Sequence, residues 1–364
     1  MGNTSKGVTI KFTEPLNHIY RKGMLLVKKL LKRVLNYFND IYWAEYDKRN
    51  APPRKDESIP RHMILDPDPH SYPTPEEFQA VKWQCLHQFD RQIRSVADLF
   101  KDEKSKKILE NFLLMRCFQN DLIRFNLASE IAEKVTCNIG IIAFYIKGFP
   151  VWRLIDEHQY YPADIIHLSE HEVFLDGGAW VGDTIHQFLR ESNNKYDGIY
   201  AFEASPNNYQ ECLRGIEAIN HEKKIHVLNY GLGMEGEKLY FPKNGLCGDP
   251  LMAVPPEDEE KYIKVEIADI KRVLTKEQLY SITFVKLDIE GSELAALKNM
   301  EDFIKEKRPK LAICVYHKLE DIFEIPLYIQ SLFEPGDGYD MYLRHHENGL
   351  CETVLYCIPA SESD

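Results

Sequence analysis

The chain has 364 residues, 44% of them apolar and 28% charged, with a formal net charge of −12. This length suits a large core and more than one domain. The acidic balance argues against a general nucleic-acid binder.

The charge is uneven along the chain. Residues 1–50 hold 10 Lys+Arg against 4 Asp+Glu, leaving 35 against 53 in the remainder. Within this basic segment Leu26, Leu30, Leu31, Val34, Leu35, Phe38 and Ile41 recur at helical spacing, with Lys28, Lys29, Lys32 and Arg33 between them. The pattern predicts a basic amphipathic helix. Such a helix packs on its own domain or on a second copy of the chain, or lies on an anionic membrane surface. Residues 51–75 carry seven prolines, a density that forbids regular helix and predicts an extended linker. Residues 76–160 are expected to form a helical cap. Its helices run through "PEEFQAVKWQCLHQF" and "DEKSKKILENFLLMRCFQNDLIRF", with Asp102 or Ser105 as the N-cap of the second.

From residue 161 to the end, β-rich runs alternate with helical ones, the pattern of a parallel sheet with crossover helices. Strands are expected at 172–176, 198–203, 224–230, 282–288 and 309–316. Residues 233–270 read as an insertion of short strands and turns. Two late runs, 340–346 and 352–358, flank an Asn348-Gly349 turn and predict a closing antiparallel hairpin.

Eight cysteines occur without a CxxC pair, several of them inside apolar runs, as expected of buried thiols in a cytoplasmic protein. No closely paired ligands suggest structural zinc. No apolar run approaches the ~20 residues needed to span a bilayer, and the N-terminus lacks the apolar core of a signal peptide. "MGNTSK" misses the myristoylation pattern, because Lys6 stands where Ser or Thr is required. A cytoplasmic location follows, with contact at the inner face of a membrane as a further expectation for the N-terminal helix.

The stretch "VFLDGGAWVGDT" is a glycine-rich strand-to-helix turn. Gly177 and Gly182 fit the outer positions of a dinucleotide loop, but Ala179 replaces the middle glycine. Asp176 at the strand end would repel a diphosphate and suits a cationic ligand. S-adenosylmethionine meets that demand, having a sulfonium, an α-amino group and no phosphate. Its carboxylate can be met by amides of Gly177, Gly178, Ala179 and Gly182 and of Asp183 and Thr184, which open the helix. Glu203, ending the second strand, can accept bonds from the ribose hydroxyls.

A second constellation lies in "FVKLDIEGSELAALKN", where Asp288 ends the fourth strand and Glu290 and Glu293 follow within a turn. Ligands of open α/β sheets collect at the carboxyl ends of strands, so Asp288 and Asp176 should share one crevice. Glu293 reads equally as a first-turn acid complementing the helix dipole. His317 follows the fifth strand, and Arg344, His345 and His346 lie near the end of the sixth. Adjacent strand residues point to opposite faces, so at most one of His345 and His346 should reach the pocket.

With these segments in view, residues 160–358 resemble the FkbM-type S-adenosylmethionine-dependent methyltransferases. The segments are "FLDGGAWVGDT", "AFEASPNN", "FVKLDIEGSELAALKN", "LAICVYHKLEDIFEIPLYI" and "YLRHH" with "ETVLY". The resemblance implies a Rossmann-like class I methyltransferase fold: an α/β, mostly parallel seven-stranded sheet with a terminal antiparallel hairpin, behind an N-terminal helical region. It also implies O-methylation of a sugar, sugar-nucleotide or glycan hydroxyl, of the kind found in bacterial surface polysaccharide. The expected base is His317, as a neutral imidazole near pH 7, with His345 as an alternative. Asp288 would orient the base or hold the acceptor hydroxyl, with Glu290, Arg344 and His346 binding further acceptor groups. A divalent ion held by Asp288, Glu290 and His317 is a metal-assisted version of the same step. The rival classes are an NAD(P)-dependent oxidoreductase and a non-catalytic membrane-associated scaffold.

Overall fold

The computed structural model describes residues 75–119, 139–146, 149–156, 158–217, 219, 223–234, 238–242, 261–334, 336–347 and 349–360. All fall in the second of two units of the chain, Asp68–Asp364. The basic N-terminal helix, the proline-rich linker up to residue 74, most of the insertion and Asn348 lie outside the described residues.

Among the described residues three helices come first: α1 (Pro75–His87), α2 (Asp90–Ala97) and α3 (Glu103–Phe118). Pro75 opens α1 at the position where a missing N–H costs nothing. Asp102 caps α3, its side chain accepting the Ser105 N–H at 2.8 Å. A hairpin then follows that the helical reading of 76–160 does not contain. Its strands β1 (Ile139–Ile146) and β2 (Phe149–Asp156) pair antiparallel, Ile146 opposite Phe149.

The main sheet has seven strands in the order β11-β12-β10-β9-β3-β4-β5. They are β3 (Val173–Gly177), β4 (Gly198–Phe202), β5 (Ile225–Leu228), β9 (Phe284–Leu287), β10 (Lys310–Cys314), β11 (Tyr339–His345) and β12 (Thr353–Pro359). Strands β5, β4, β3, β9 and β10 run parallel. β12 runs antiparallel to both β10 and β11, so the terminal hairpin is present as expected. It is not closed by a two-residue turn, however. The pairing ends at His345 opposite Thr353, and residues 346–352 link the strands. The insertion contributes β7 (Lys238–Pro242) and β8 (Tyr262–Ala268), which with β6 (Gly231–Leu232) just before it form a small separate sheet, order β6-β8-β7.

Helices α4 (Asp183–Glu191) and α5 (Pro206–Glu217) follow β3 and β4. The short α6 (Ile270–Val273) and α7 (Lys276–Ser281) precede β9, α8 (Glu293–Asn299) and α9 (Glu301–Lys307) follow it, and α10 (Asp321–Ser331) follows β10. β3 and β9 are buried on both faces, as the centre of a doubly covered parallel sheet requires. Phe174 of β3 stacks on Phe188 of α4 with ring centroids 4.6 Å apart, and on Phe284 of β9 at 5.3 Å. This locks the first helix over the sheet centre. β3 proceeds by its crossover to β4 on one side and pairs with β9 on the other. The switch point, and the crevice it opens, therefore lies between β3 and β9 at their carboxyl ends.

Candidate functional site

The glycine loop closes over this switch point. Gly178 (φ +80°) and Gly182 (φ +90°) both take left-handed backbone. A Cβ on Gly178 would fall 1.9 Å from the Asp288 carbonyl oxygen, so only glycine lets the loops after β3 and β9 approach this closely. Gly177 and Ala179 are buried beneath the turn. The Gly178 and Ala179 N–H groups both donate to the Phe202 carbonyl, at 2.9 and 3.0 Å. Gly182 is the N-cap of α4, and no side chain caps that helix. Asp183 and Thr184 follow as its first residues.

Asp176 is not at the mouth of the crevice. It is fully buried, accepts the Thr184 hydroxyl and lies 3.0 Å from Lys286 Nζ. Its charge is already met by that ammonium, which corrects the expectation that it touches a cationic ligand directly. Lys286, equally buried, also donates to the carbonyls of Gly177 (3.0 Å) and Gly178 (2.8 Å). Two of its protons are thus bonded, and the Asp176 contact is an ion pair out of line for a hydrogen bond. Burial opposes its charge, but Asp176 and Asp288 hold its pKa above the ordinary lysine value. Lys286 escaped the sequence reading because it interrupts an apolar strand run, although a lysine inside such a run demands a buried anion.

Glu203 lies just past β4, as expected, and accepts the backbone N–H groups of Trp180 and Ser205, each at 2.8 Å. It ties the loop after β3 to the start of α5. Burial is the strongest influence on its carboxyl and raises it to about 7 despite these donors.

Across the crevice, Asp288, Glu290 and His317 come together as the sequence suggests, and Glu293 joins them. Asp288 accepts the hydroxyls of Tyr160 (2.9 Å) and Tyr316 (3.0 Å). Burial would raise its pKa, but Lys286, His317 and the two hydroxyls outweigh it and hold the group below its usual value. His317 Nε2 lies 3.4 Å from both Asp288 Oδ1 and Glu290 Oε2, and Nδ1 lies 2.9 Å from Glu293 Oε1. Both nitrogens are out of line for hydrogen bonds, so these are ion-pair contacts. Burial lowers the imidazole pKa, yet Glu293, Glu290 and Asp288 more than reverse it and hold it well above its usual value. The neutral imidazole expected near pH 7 is therefore not what this environment favours. Glu293 acts as more than a first-turn acid: it is completely buried and also accepts the Ile289 N–H at 2.9 Å.

Tyr160 and Tyr316 were not anticipated, nor was Gln159, whose amide donates to Tyr160 at 3.1 Å and also reaches Glu352. A tyrosine pair beside a strand-end acid leaves no spacing signal, because Tyr160 comes from a segment 128 residues away.

The remaining sequence candidates are structural ties. Arg344 is buried and bonds Asp102 (2.7 Å) and Asp164 (3.0 Å), anchoring α3 to β11 rather than binding an acceptor. His346 is buried, with Nε2 2.8 Å from the Tyr356 hydroxyl. His345 is sealed beside Thr353, 2.8 Å away, and burial pushes its pKa down to about 3. It is neutral, but no acceptor reaches it.

Comparison with known proteins accords with this architecture. Residues 176–345 match the family model of the Methyltransferase FkbM domain. Among solved structures, the methyltransferase FkbM from Methylobacillus flagellatus KT aligns with a TM-score of 0.55 at 23% identity, over 76% of this chain and 61% of that one. This chain thus spans about three fifths of that relative's length. Fibrillarin from Aeropyrum pernix, in complex with natively bound S-adenosyl-L-methionine, gives 0.34 at 12% identity, over 61% of this chain and 84% of that one. An rRNA methylase from Streptococcus thermophilus gives 0.33 at 11%, over 53% and 88%. Curated proteins give no match. The fold is the mixed, mostly parallel seven-stranded sheet of methyltransferases. No helix among the described residues is long and apolar enough to cross a membrane.

Proposed function

We propose that the chain is an S-adenosylmethionine-dependent methyltransferase acting on a hydroxyl of a sugar, sugar-nucleotide or glycan acceptor. The observation that carries this reading is the pairing of two constellations across one switch point. On one wall a glycine turn runs into a helix start without a side-chain cap, beside Glu203. On the other stands the Asp288–Glu290–His317 cluster.

The residues fit the cofactor. The N–H groups opening α4 suit a carboxylate. Glu203 accepts two backbone donors and the Asn208 amide, and a carboxylate has about four acceptor sites, leaving one for a ribose hydroxyl. The buried Asp176–Lys286 pair holds the loop's shape from below. When bound, the cofactor supplies an electrophilic methyl group on a sulfonium. The chain's own task is to align an acceptor oxygen with it, a contribution of up to ~7–11 kcal/mol, and to take the acceptor's proton. With the imidazole held protonated, the carboxylates are the proton acceptors. Glu290, 29% exposed against 22% for Asp288 and 10% for His317, is best placed to meet an incoming hydroxyl.

Calorimetry with S-adenosylmethionine and NADH tests the cofactor. Binding of NADH in place of the sulfonium compound would overturn the reading in favour of an oxidoreductase. A panel of sugar nucleotides and oligosaccharides, followed by S-adenosylhomocysteine release, tests the acceptor class.

A further inference from the structure

Three carboxylates surround one imidazole at the carboxyl ends of β9 and β10, an excess of negative charge even with the imidazole protonated. Lys286 offsets only part of it, because its one charge is shared between Asp288 and the Asp176 carboxylate it contacts at 3.0 Å. Lys318 bonds the Gly291 carbonyl. One ligand atom from each of Asp288, Glu293 and His317 lies within 4.8 Å of the others. An ion about 2.0–2.2 Å from its ligands spans up to roughly 4.0–4.4 Å between opposed ones, so small side-chain shifts suffice to bring all three to one ion.

Two further features point to a ligand here. Glu293 Oε2 is buried in a completely enclosed side chain and has no hydrogen-bond partner. His317, 10% exposed, has neither ring nitrogen in a hydrogen bond, though carboxylates face both. Buried polar atoms of this kind are rare unless an ion or water meets them. Glu290 Oε2, 3.4 Å from His317 Nε2, supplies a fourth ligand, the third oxygen, on the exposed side.

We propose that Asp288, Glu293 and His317, with Glu290 at the open side, form a binding site for one divalent cation of the magnesium–manganese class. The donor set decides the class: oxygen-rich with a single imidazole and no thiolate favours hard ions over zinc or copper. The site itself stands on the cluster's geometry. What the ion would do rests on the methyl-transfer reading, in which it binds the acceptor hydroxyl and lowers its pKa beside the donor.

The test is titration of the full chain with MnCl2, without donor or acceptor, following the free ion by electron paramagnetic resonance. One ion per chain is expected, with a dissociation constant below about 1 mM, a range typical of carboxylate-rich sites, and excess Mg2+ should displace it. Asp288→Asn and Glu293→Gln should each weaken binding at least about tenfold. Should either variant fail to fold, pulsed resonance of the unmodified chain still decides, because the bound ion must show coupling to one imidazole nitrogen. Absence of binding, absence of that coupling, or affinity unchanged in both folded variants overturns the site. Calorimetry of S-adenosylmethionine in EDTA separates the two readings: donor binding without Mn2+ binding removes the ion and leaves the methyltransferase.

Discussion

The two walls of the crevice treat charge in opposite ways. Below the glycine loop, the buried Asp176 carboxylate and the buried Lys286 ammonium match one for one, with the spare lysine protons on loop carbonyls. At the ends of β9 and β10, three carboxylates crowd one imidazole, and three polar atoms, Glu293 Oε2 and both His317 nitrogens, lack a hydrogen bond. A balanced buried pair fixes shape; an unbalanced cluster is poised to take up a proton, an ion or a substrate group. On the proposed reading the first wall is the scaffold for the cofactor, and the second is where chemistry is to be sought.

The largest effect should come from breaking the balanced wall. Lys286→Met strands the Asp176 charge and two carbonyls, at a cost of about 3–5 kcal/mol in urea unfolding. Adding Asp176→Asn should recover part of that loss, and strictly additive costs would show that the two residues are not coupled. Next is Gly178→Ala, whose methyl group must push the loops after β3 and β9 apart. Strain of about 1–3 kcal/mol should weaken cofactor binding roughly 10–100-fold by calorimetry; unchanged affinity would separate the loops functionally.

Smaller effects depend on pH. His345 has its folded pKa lowered to about 3, so the unfolded chain binds the extra proton once pH drops below the ordinary histidine value. Its contribution is present at pH 7 and should decline by about 2 kcal/mol on going to pH 5. His345→Asn should flatten that part of the stability profile. Glu203 has the opposite sign. Raised to about 7, it keeps its proton at pH 6, and its burial penalty grows as pH rises from its unfolded value toward 7. A ribose hydroxyl favours the ionised form, so cofactor affinity should be about tenfold tighter at pH 8 than at pH 6. Glu203→Gln should bind more weakly and lose that slope.

Much of this was legible in the chain. Alternation of strand and helix runs located all seven main strands to within a few residues. The strand-end rule put Asp176 and Asp288 at one crevice, but Asp176 is sealed beneath the loop, whereas Asp288, Glu290 and His317 do come together. The failures have distinct causes. Counting strand faces correctly separates His345 from His346, but it says nothing of what covers each face. Both histidines are buried, and Arg344 is claimed by Asp102 and Asp164. The acid at 176 looks identical in sequence whether it meets a ligand or a lysine, because its partner lies 110 residues away in another strand. Residues 139–156 did carry a signal, "IGIIAFYI" followed by Lys147-Gly148 and a second β-rich run, which the helices before them overshadowed.

The contact between α3 and β11 has one more consequence. Beside it, Phe100 forms a parallel bridge to Met341, and the Lys101 N–H takes the Met341 carbonyl at 2.9 Å. The outermost strand thereby loses hydrogen-bonding groups that could otherwise recruit a strand from another molecule. A shortened chain starting at residue 120 would keep every crevice residue yet bare that border, and light scattering should find it prone to self-association.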